Sequence, residues 1–267
     1  MFHKVEPYLI TPPHPITIGV VGCGGTGSLI LSKLARLHMA LKSASHPGLK
    51  VVAFDGDILT EANIGRQGFF PSDIGRSKSA VLIHRINRSF GLNWESDNDF
   101  VKEVPRVNII FLCVDDVKTR ISLWNINNNY GYDMNKILYI IDAGNSRSSG
   151  QVVIKAISDK NMLTMPELFK GADITEPEKP SCSMFQNLNE QDLFINDVAA
   201  WLAVDTLYKL LSQYQIDYNA IMFDVDSMNF IKVPINEKRT IRKSAKGDSK
   251  RLSKKQHLTN PRLSTHP

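Results

Sequence analysis

Residues 16–27 read ITIGVVGCGGTG. Ile16, Ile18, Val20 and Val21 make an apolar, β-branched run that stops at Gly22. Gly24, Gly25 and Gly27 follow, and an apolar helical pattern begins at Leu29. Strand, glycine turn and helix in that order bring the backbone close to a ligand, and the helix N-terminus offers unpaired N–H groups and a partial positive charge. Gly22, Gly24 and Gly27 satisfy the G-x-G-x-x-G spacing of Rossmann-type nucleotide sites, with Gly25 as an additional glycine. A tight structural turn without a ligand is the alternative at this point.

The pattern continues on both sides. Leu29, Ile30, Leu34, Leu37 and Ala40 give residues 28–41 the spacing of an amphipathic helix laid on a sheet. A turn through Ser45, Pro47 and Gly48 leads to LKVVAF (49–54), a second buried strand. This is a βαβ unit, for which a right-handed crossover is expected. The strand ends at Asp55, where Rossmann-type sites place an acid on a ribose hydroxyl. Asp55 lies 28 residues after Gly27, beyond the usual spacing of about 20, which implies a lengthened helix and connection. A turn-forming aspartate is the plainer alternative.

Residues 55–87 (DGDILTEANIGRQGFFPSDIGRSKSAVLIHRIN) predict a loop and then a helix from about 75 to 87, with Ala80, Val81, Ile83 and Ile86 inward. Asn63, Arg66, Gln67 and Lys78 gather polar and cationic groups near the edge of a nucleotide crevice, and Arg and Lys are the donors that phosphates need. VNIIFLCV (107–114) is a continuous apolar run, hence a strand buried on both faces. It ends in Asp115 and Asp116. Carboxylates at that end of a parallel strand face the ligand crevice and supply the hard oxygen that Mg²⁺ prefers. A helix over 118–128 and strands over 137–143 and 150–157 complete the pattern, and residues 220–233 predict a hairpin at the sheet's end.

The 267 residues suffice for one sizeable α/β domain and a tail. No apolar run could span a bilayer, and the first residues lack the apolar length of a signal peptide, so a cytoplasmic location is expected. Residues 1–15, rich in Pro and His, are expected to be an irregular lead-in in which His3 and His14 lie at the surface or pack. Net charge is +5, but residues 236–267 hold ten Lys/Arg and two acids, a local +8, which leaves about −3 for the body. That basic tail is expected to be disordered, and it could hold DNA or another polyanion. Cys23, Cys113 and Cys182 form no C-x-x-C pair, so no structural zinc is expected. Residues 158–190 form a long excursion, and long excursions tend to be functional. Residues 191–212 predict a helix apolar on more than one side, around Trp201, buried in the domain or in a dimer interface.

In combination, GCGGTG, DGD-x5-NIGRQ, GRSK and CVDD-x3-R occur in the order of the ThiF/MoeB family, the bacterial relatives of ubiquitin-activating enzymes. The chain resembles this family over about residues 16–235, and within it the ThiF-related proteins of the plasmid-associated PRTRC cassette. The resemblance implies a Rossmann-like, mostly parallel sheet with helices on both faces and an antiparallel C-terminal part. It implies binding of ATP and Mg²⁺ and adenylation of the C-terminal glycine of a ubiquitin-like protein by a homodimer. Residue by residue, the glycine turn (Gly22, Gly24, Gly25, Gly27) and Asp55 match the nucleotide-binding residues. Asn63, Arg66 and Gln67 match N-x-x-R-Q, whose arginine contacts the phosphates. Lys78 matches the phosphate-binding lysine, Asp115 the Mg²⁺-linked acid and Arg120 the arginine closing that motif. Cys182, in PSCS, matches the cysteine that can take the acyl group, although a small buried cysteine is the plainer reading. The chain lacks the zinc cysteines of many members and an N-terminal arginine segment that reaches the partner subunit.

Two other functions use some of the same residues. A nicotinamide dehydrogenase would use the glycine turn but has no role for the Arg/Lys group. A binding module would use the basic tail.

Overall fold

The computed structural model describes residues 1–64, 67–101, 105–124, 137–169 and 192–235. The quoted stretch is strand β2 (Ile16–Val21), with β1 (His3–Lys4) and the one-turn helix α1 (Pro7–Ile10) before it. Then come α2 (Gly25–Ser43), β3 (Leu49–Phe54), α3 (Lys78–Phe90), β4 (Glu95–Asp97), β5 (Ile109–Leu112) and α4 (Val117–Trp124). They are followed by β6 (Tyr139–Asn145), β7 (Ser149–Ala156), the short α5 (Met165–Leu168) and α6 (Ile195–Gln213). The chain closes with β8 (Gln215–Ile216), β9 (Tyr218–Asp224) and β10 (Asn229–Pro234).

Eight strands form one sheet in the order β10-β9-β7-β6-β5-β2-β3-β4. The pairs from β4 through β3, β2 and β5 to β6 are parallel, and those from β6 to β10 are antiparallel. The fold is thus the mostly parallel α/β class with a C-terminal hairpin. β2 lies between β3, which follows it in sequence, and β5, which returns from the far side of β4. Strand order reverses there, and ligands of open α/β sheets bind outside the carboxyl ends of the strands at such a point.

Strand residues alternate between two cores. Ile109, Phe111, Tyr139, Ile141, Val152 and Ile154 pack with Ile30, Leu34, Ile83 and Leu207 of α2, α3 and α6. Ile110, Leu112, Ile140 and Val153 face the other way, toward Leu123 and Trp124 of α4 and Met165 of α5. A strand sandwiched in this way must be apolar at every position, as β5 is.

α2 has 19 residues, and this length accounts for the long interval between the glycine turn and Asp55. α3 starts after Ser77, whose hydroxyl accepts the Ala80 N–H. The helix therefore begins three residues later than the pattern suggested. Leu82, Ile83 and Ile86 are buried, while Ala80 and Val81 are only half-buried. On α6, Leu202, Leu207 and Leu210 are buried, but Trp201 is 52% exposed and Phe194 and Tyr208 are exposed too. Trp201 therefore does not belong to the interior.

Residues 1–15 are more ordered than an irregular lead-in. β1 pairs with β8 in a separate two-stranded sheet. His3 is buried, with one ring nitrogen 2.9 Å from Asp159 Oδ2 and the other 2.9 Å from the Tyr139 hydroxyl. The pairing joins two-residue strands more than 200 residues apart in sequence, a contact that local patterning cannot encode. No helix among the described residues is long and apolar enough to cross a membrane.

Candidate functional site

The glycine turn leaves the sheet at its reversal point. The Gly22 N–H donates to the Phe54 carbonyl of β3 (2.9 Å), and the Cys113 N–H donates to the Val21 carbonyl (2.8 Å). Gly22 has φ of +89°, and a Cβ there would lie 2.8 Å from the Cys113 carbonyl oxygen. The turn can thus press against the end of β5 only with glycine at this position. A Cβ on Gly27 would overlap the Gly22 carbonyl oxygen, so α2 could not seat on the turn. Gly24 differs, since a Cβ there would meet only Gln67 Nε2, at 3.9 Å. Gly24 is the N-cap of α2, and no side chain caps that helix. The position that packing leaves open is the one where backbone N–H groups and the helix dipole face outward.

Asp55 stands at the end of β3. Its Oδ2 accepts the Cys23 N–H (2.5 Å) and its Oδ1 the Asp57 N–H (2.8 Å). Burial raises its pKa above the ordinary carboxylate value, against the opposing pull of those two N–H groups and of Lys78. Asp55 thereby ties the glycine turn to β3 and keeps a carboxylate at the crevice. Cys23 itself is buried, and burial first, then Asp55, pushes its thiol up.

Lys78 is the first residue of α3 and is buried, with its Nζ 2.7 Å from Asp57 Oδ2. Its backbone N–H also donates to the Asp57 carbonyl (3.1 Å). The next residue, Ser79, donates its hydroxyl to the Asp55 and Asp97 carbonyls. The N-terminus of α3 is thereby fixed beneath the ends of β3 and β4, with its ammonium beside Asp55 and Asp57.

Asp115 is exposed, two residues beyond Cys113, whose carbonyl the turn abuts. Asp116 immediately precedes α4, its Oδ2 accepting the Thr119 N–H (2.7 Å). Gln67 reaches the turn through its amide nitrogen, and its Oε1 is buried without a partner among the described residues. Asn63 instead serves its own turn. Its Oδ1 accepts the Thr60 N–H (2.9 Å) and hydroxyl (3.1 Å), closing the short 3₁₀ helix Glu61–Asn63.

Arg120 is turned into the protein. Its guanidinium pairs with Asp142 of β6, and Asp142 also accepts the Trp124 indole N–H (2.6 Å). Burial alone would lower the Arg120 pKa, but Asp142 outweighs it and holds the value above the ordinary one. Arg66 and Cys182 lie outside the described residues.

The structure therefore gathers the glycine turn, Asp55 and Lys78 at the carboxyl ends of β2 and β3, with Gln67 beside Gly24 and Asp115 exposed just beyond β5, and places Asn63 and Arg120 in local and buried contacts. Sequence reading missed Asp57, whose spacing in DGD was the available signal. It also missed Asn145 and Asn196. Asn196, in the first turn of α6, packs against Gly25 and accepts the Thr26 hydroxyl (2.9 Å). Nothing in the local sequence marks it, because its partners lie 51 and 170 residues away. Among the described residues, no group of three His, Cys, Asp or Glu side chains could hold a metal ion.

A sheet reversed at β2, with a glycine turn opening an uncapped helix between an acid and a lysine, defines a Rossmann-type α/β fold. The ThiF family matches residues 15–247, and the chain belongs to that family. Among solved structures it is similar to E. coli MccB, with TM-score 0.60, 18% identity, and coverage of 82% of this chain and 62% of that one. A structure of E. coli MccB with ATP has TM-score 0.59, 16% identity, and coverage of 87% and 66%. PaaA has TM-score 0.59, 15% identity, and coverage of 83% and 73%. The chain thus spans somewhat less than two thirds of the length of MccB. No curated protein matches it in sequence.

Proposed function

We propose that this protein is an ATP-dependent adenylating enzyme that activates the C-terminal carboxylate of a peptide or small protein. The observation that carries the reading is the open Gly24 position at the uncapped start of α2, with buried Lys78 and half-buried Asp55 on the β3 side and Asp115 beyond β5 on the other. ATP fits the residues present. The turn supplies N–H donors for phosphates, Asp55 an acceptor for ribose hydroxyls, and Lys78 positive charge. The orphaned Gln67 oxygen gives one more polar group at the turn. Asp115 would hold Mg²⁺, which takes one or two carboxylates and completes its shell with phosphate oxygens and water. Family membership and the likeness to an ATP-bound MccB structure support the same substrate.

The chemistry asks little of the protein beyond placement and charge. A carboxylate approaching the α-phosphate is repelled by it, and Lys78 and Arg66 lower that repulsion while the turn fixes the phosphates in line. The carboxylate is already ionised, so no general base is required. In the present arrangement Asp57 holds the Lys78 ammonium, which keeps a buried cation paired until phosphates arrive.

The finer reading is a ubiquitin-like protein ending in glycine as the acyl substrate. Cys182 would be a candidate acceptor, a homodimer the working unit and the cytoplasm the location. Residues 16–235 would form the adenylating unit and 236–267 a basic tail that holds polyanions. The MccB structure described as a complex with N-formylated MccA shows that a protein of this fold takes a peptide partner, which supports a peptide or protein substrate here.

Pyrophosphate exchange into ATP, with Mg²⁺ and a candidate acceptor ending in a free carboxylate, tests the proposal. Exchange that depends on the acceptor and disappears in Lys78→Ala and Asp115→Ala is expected. Exchange unchanged in both variants would remove the assigned roles. Absence of exchange with any peptide or ubiquitin-like acceptor would remove the adenylation reading.

A further inference from the structure

The glycine turn is seated on a side chain that none of the nucleotide motifs contains. Asn196 is 5% exposed. Its Cγ, Nδ2 and Oδ1 lie 2.7, 2.7 and 2.8 Å from where a Gly25 Cβ would stand. Three atoms at nearly equal distance mean that the flat amide lies face-on against the first residue of α2. Its Oδ1 accepts the Thr26 hydroxyl (2.9 Å) and the Asn145 amide N–H (3.1 Å). Two donors from different elements, α2 and β6, fix which way the amide faces. The oxygen is committed inward, and the NH₂ group has no hydrogen-bond partner among the described residues.

An amide nitrogen with neither N–H taken by a protein group is free to donate to an anion. This one lies against the start of a 19-residue helix that no side chain caps, where an anion would be expected to sit. The three heavy atoms nearest the Gly25 position all belong to Asn196.

We propose that Asn196 is a further nucleotide-binding residue, its Nδ2 donating to a phosphate oxygen held at the start of α2, with Thr26 and Asn145 orienting the amide. This rests on the nucleotide reading of the site but not on the acyl transfer. The arrangement also explains Gly25. Any Cβ there would displace the amide from the position that the phosphate requires. Phosphates would then be bound by donors from two elements far apart in sequence, the glycine turn and the first turn of α6.

The test is calorimetric binding of ATP and of adenosine to the full chain. Asn196→Asp keeps an oxygen for Thr26 and Asn145 but turns the outward donor into an acceptor. Asn196→Ala removes the donor without adding charge. A hydrogen bond to a charged group is worth roughly ten- to hundredfold in affinity, so both variants should bind ATP weaker by about that factor. Adenosine, which lacks phosphates, should bind as it does to the wild type. Weakening of ATP and adenosine alike would mean a merely structural role and would overturn the assignment, as would ATP affinity within about twofold of wild type in both variants. Wild-type protein that binds ATP yet catalyses no exchange sinks the adenylation reading and leaves Asn196 in place, whereas wild-type protein that binds neither ATP nor pyrophosphate overturns both.

Discussion

The Arg120–Asp142 pair offers a stability measurement whose size can be worked out in advance. Asp142 is 0% exposed, and it serves both the guanidinium and the Trp124 indole N–H. Asp142→Ala would leave a buried cation without its counter-charge and an indole N–H without its acceptor. Removing one member of a buried pair costs about 3–5 kcal/mol. In a domain of this size each kcal/mol lowers the melting temperature by roughly 2–4 °C, so a fall of about 6–20 °C is expected. The double variant Arg120→Met/Asp142→Leu removes the stranded charge together with its partner. Replacing a whole buried pair by apolar groups is often close to neutral, so the double variant should recover most of the loss. Chemical denaturation of wild type, Arg120→Met, Asp142→Leu and the double variant gives the coupling directly. A cost below about 1 kcal/mol for Asp142→Ala, or effects that simply add, would refute the claim that this pair braces α4 against β6.

Two further outcomes follow from the same geometry. Burial raises the Asp55 pKa, so the folded chain takes up that proton at a higher pH than the unfolded chain, and the ionised group subtracts stability above its folded pKa. Wild type should therefore gain stability relative to Asp55→Asn as pH falls through that pKa, whatever the offset at pH 7; a gap that stays constant or moves the other way in denaturation curves across the acid range would contradict this. Burial also pushes the Cys23 and Cys113 thiols up, with Asp55 and Asp142 adding to it respectively. Both should resist iodoacetamide at pH 8 in the folded protein and react on unfolding, as peptide mapping would show; modification of either at the rate of a free thiol would mean that it is not packed as described.

Much of the site was legible before any coordinates. The β2–turn–α2 unit, β3 with Asp55 at its tip, and β5 with Asp115 beyond it follow from local patterns. Apolar runs that end in glycine or aspartate report a buried strand and its exit from the sheet, and this holds whatever the rest of the chain does. Lys78 stood out by its place near the start of a helix. Its partner Asp57 did not, although it sits in the same DGD motif. Which carboxylate meets an ammonium depends on how α3 is docked, and docking is not a local property. Arg120 shows the same limit more sharply. The motif gave its position but not its direction, and Asp142, 22 residues away on β6, draws it inward.

The sequence by itself determined the class of fold, the place of the glycine turn at the sheet's reversal point and most of the charged groups around it, because hydrophobic period and glycine spacing are written residue by residue. Tertiary structure alone decided how the polar groups pair. It buried His3 in a two-stranded sheet whose strands lie more than 200 residues apart, and it turned Arg120 inward onto Asp142. It also set the Asn196 amide face-on against Gly25, with its oxygen spoken for and its nitrogen without a partner among the described residues. Hydrogen-bond partners are chosen by proximity in three dimensions, and side chains 170 residues apart carry no mark of it until the helices pack.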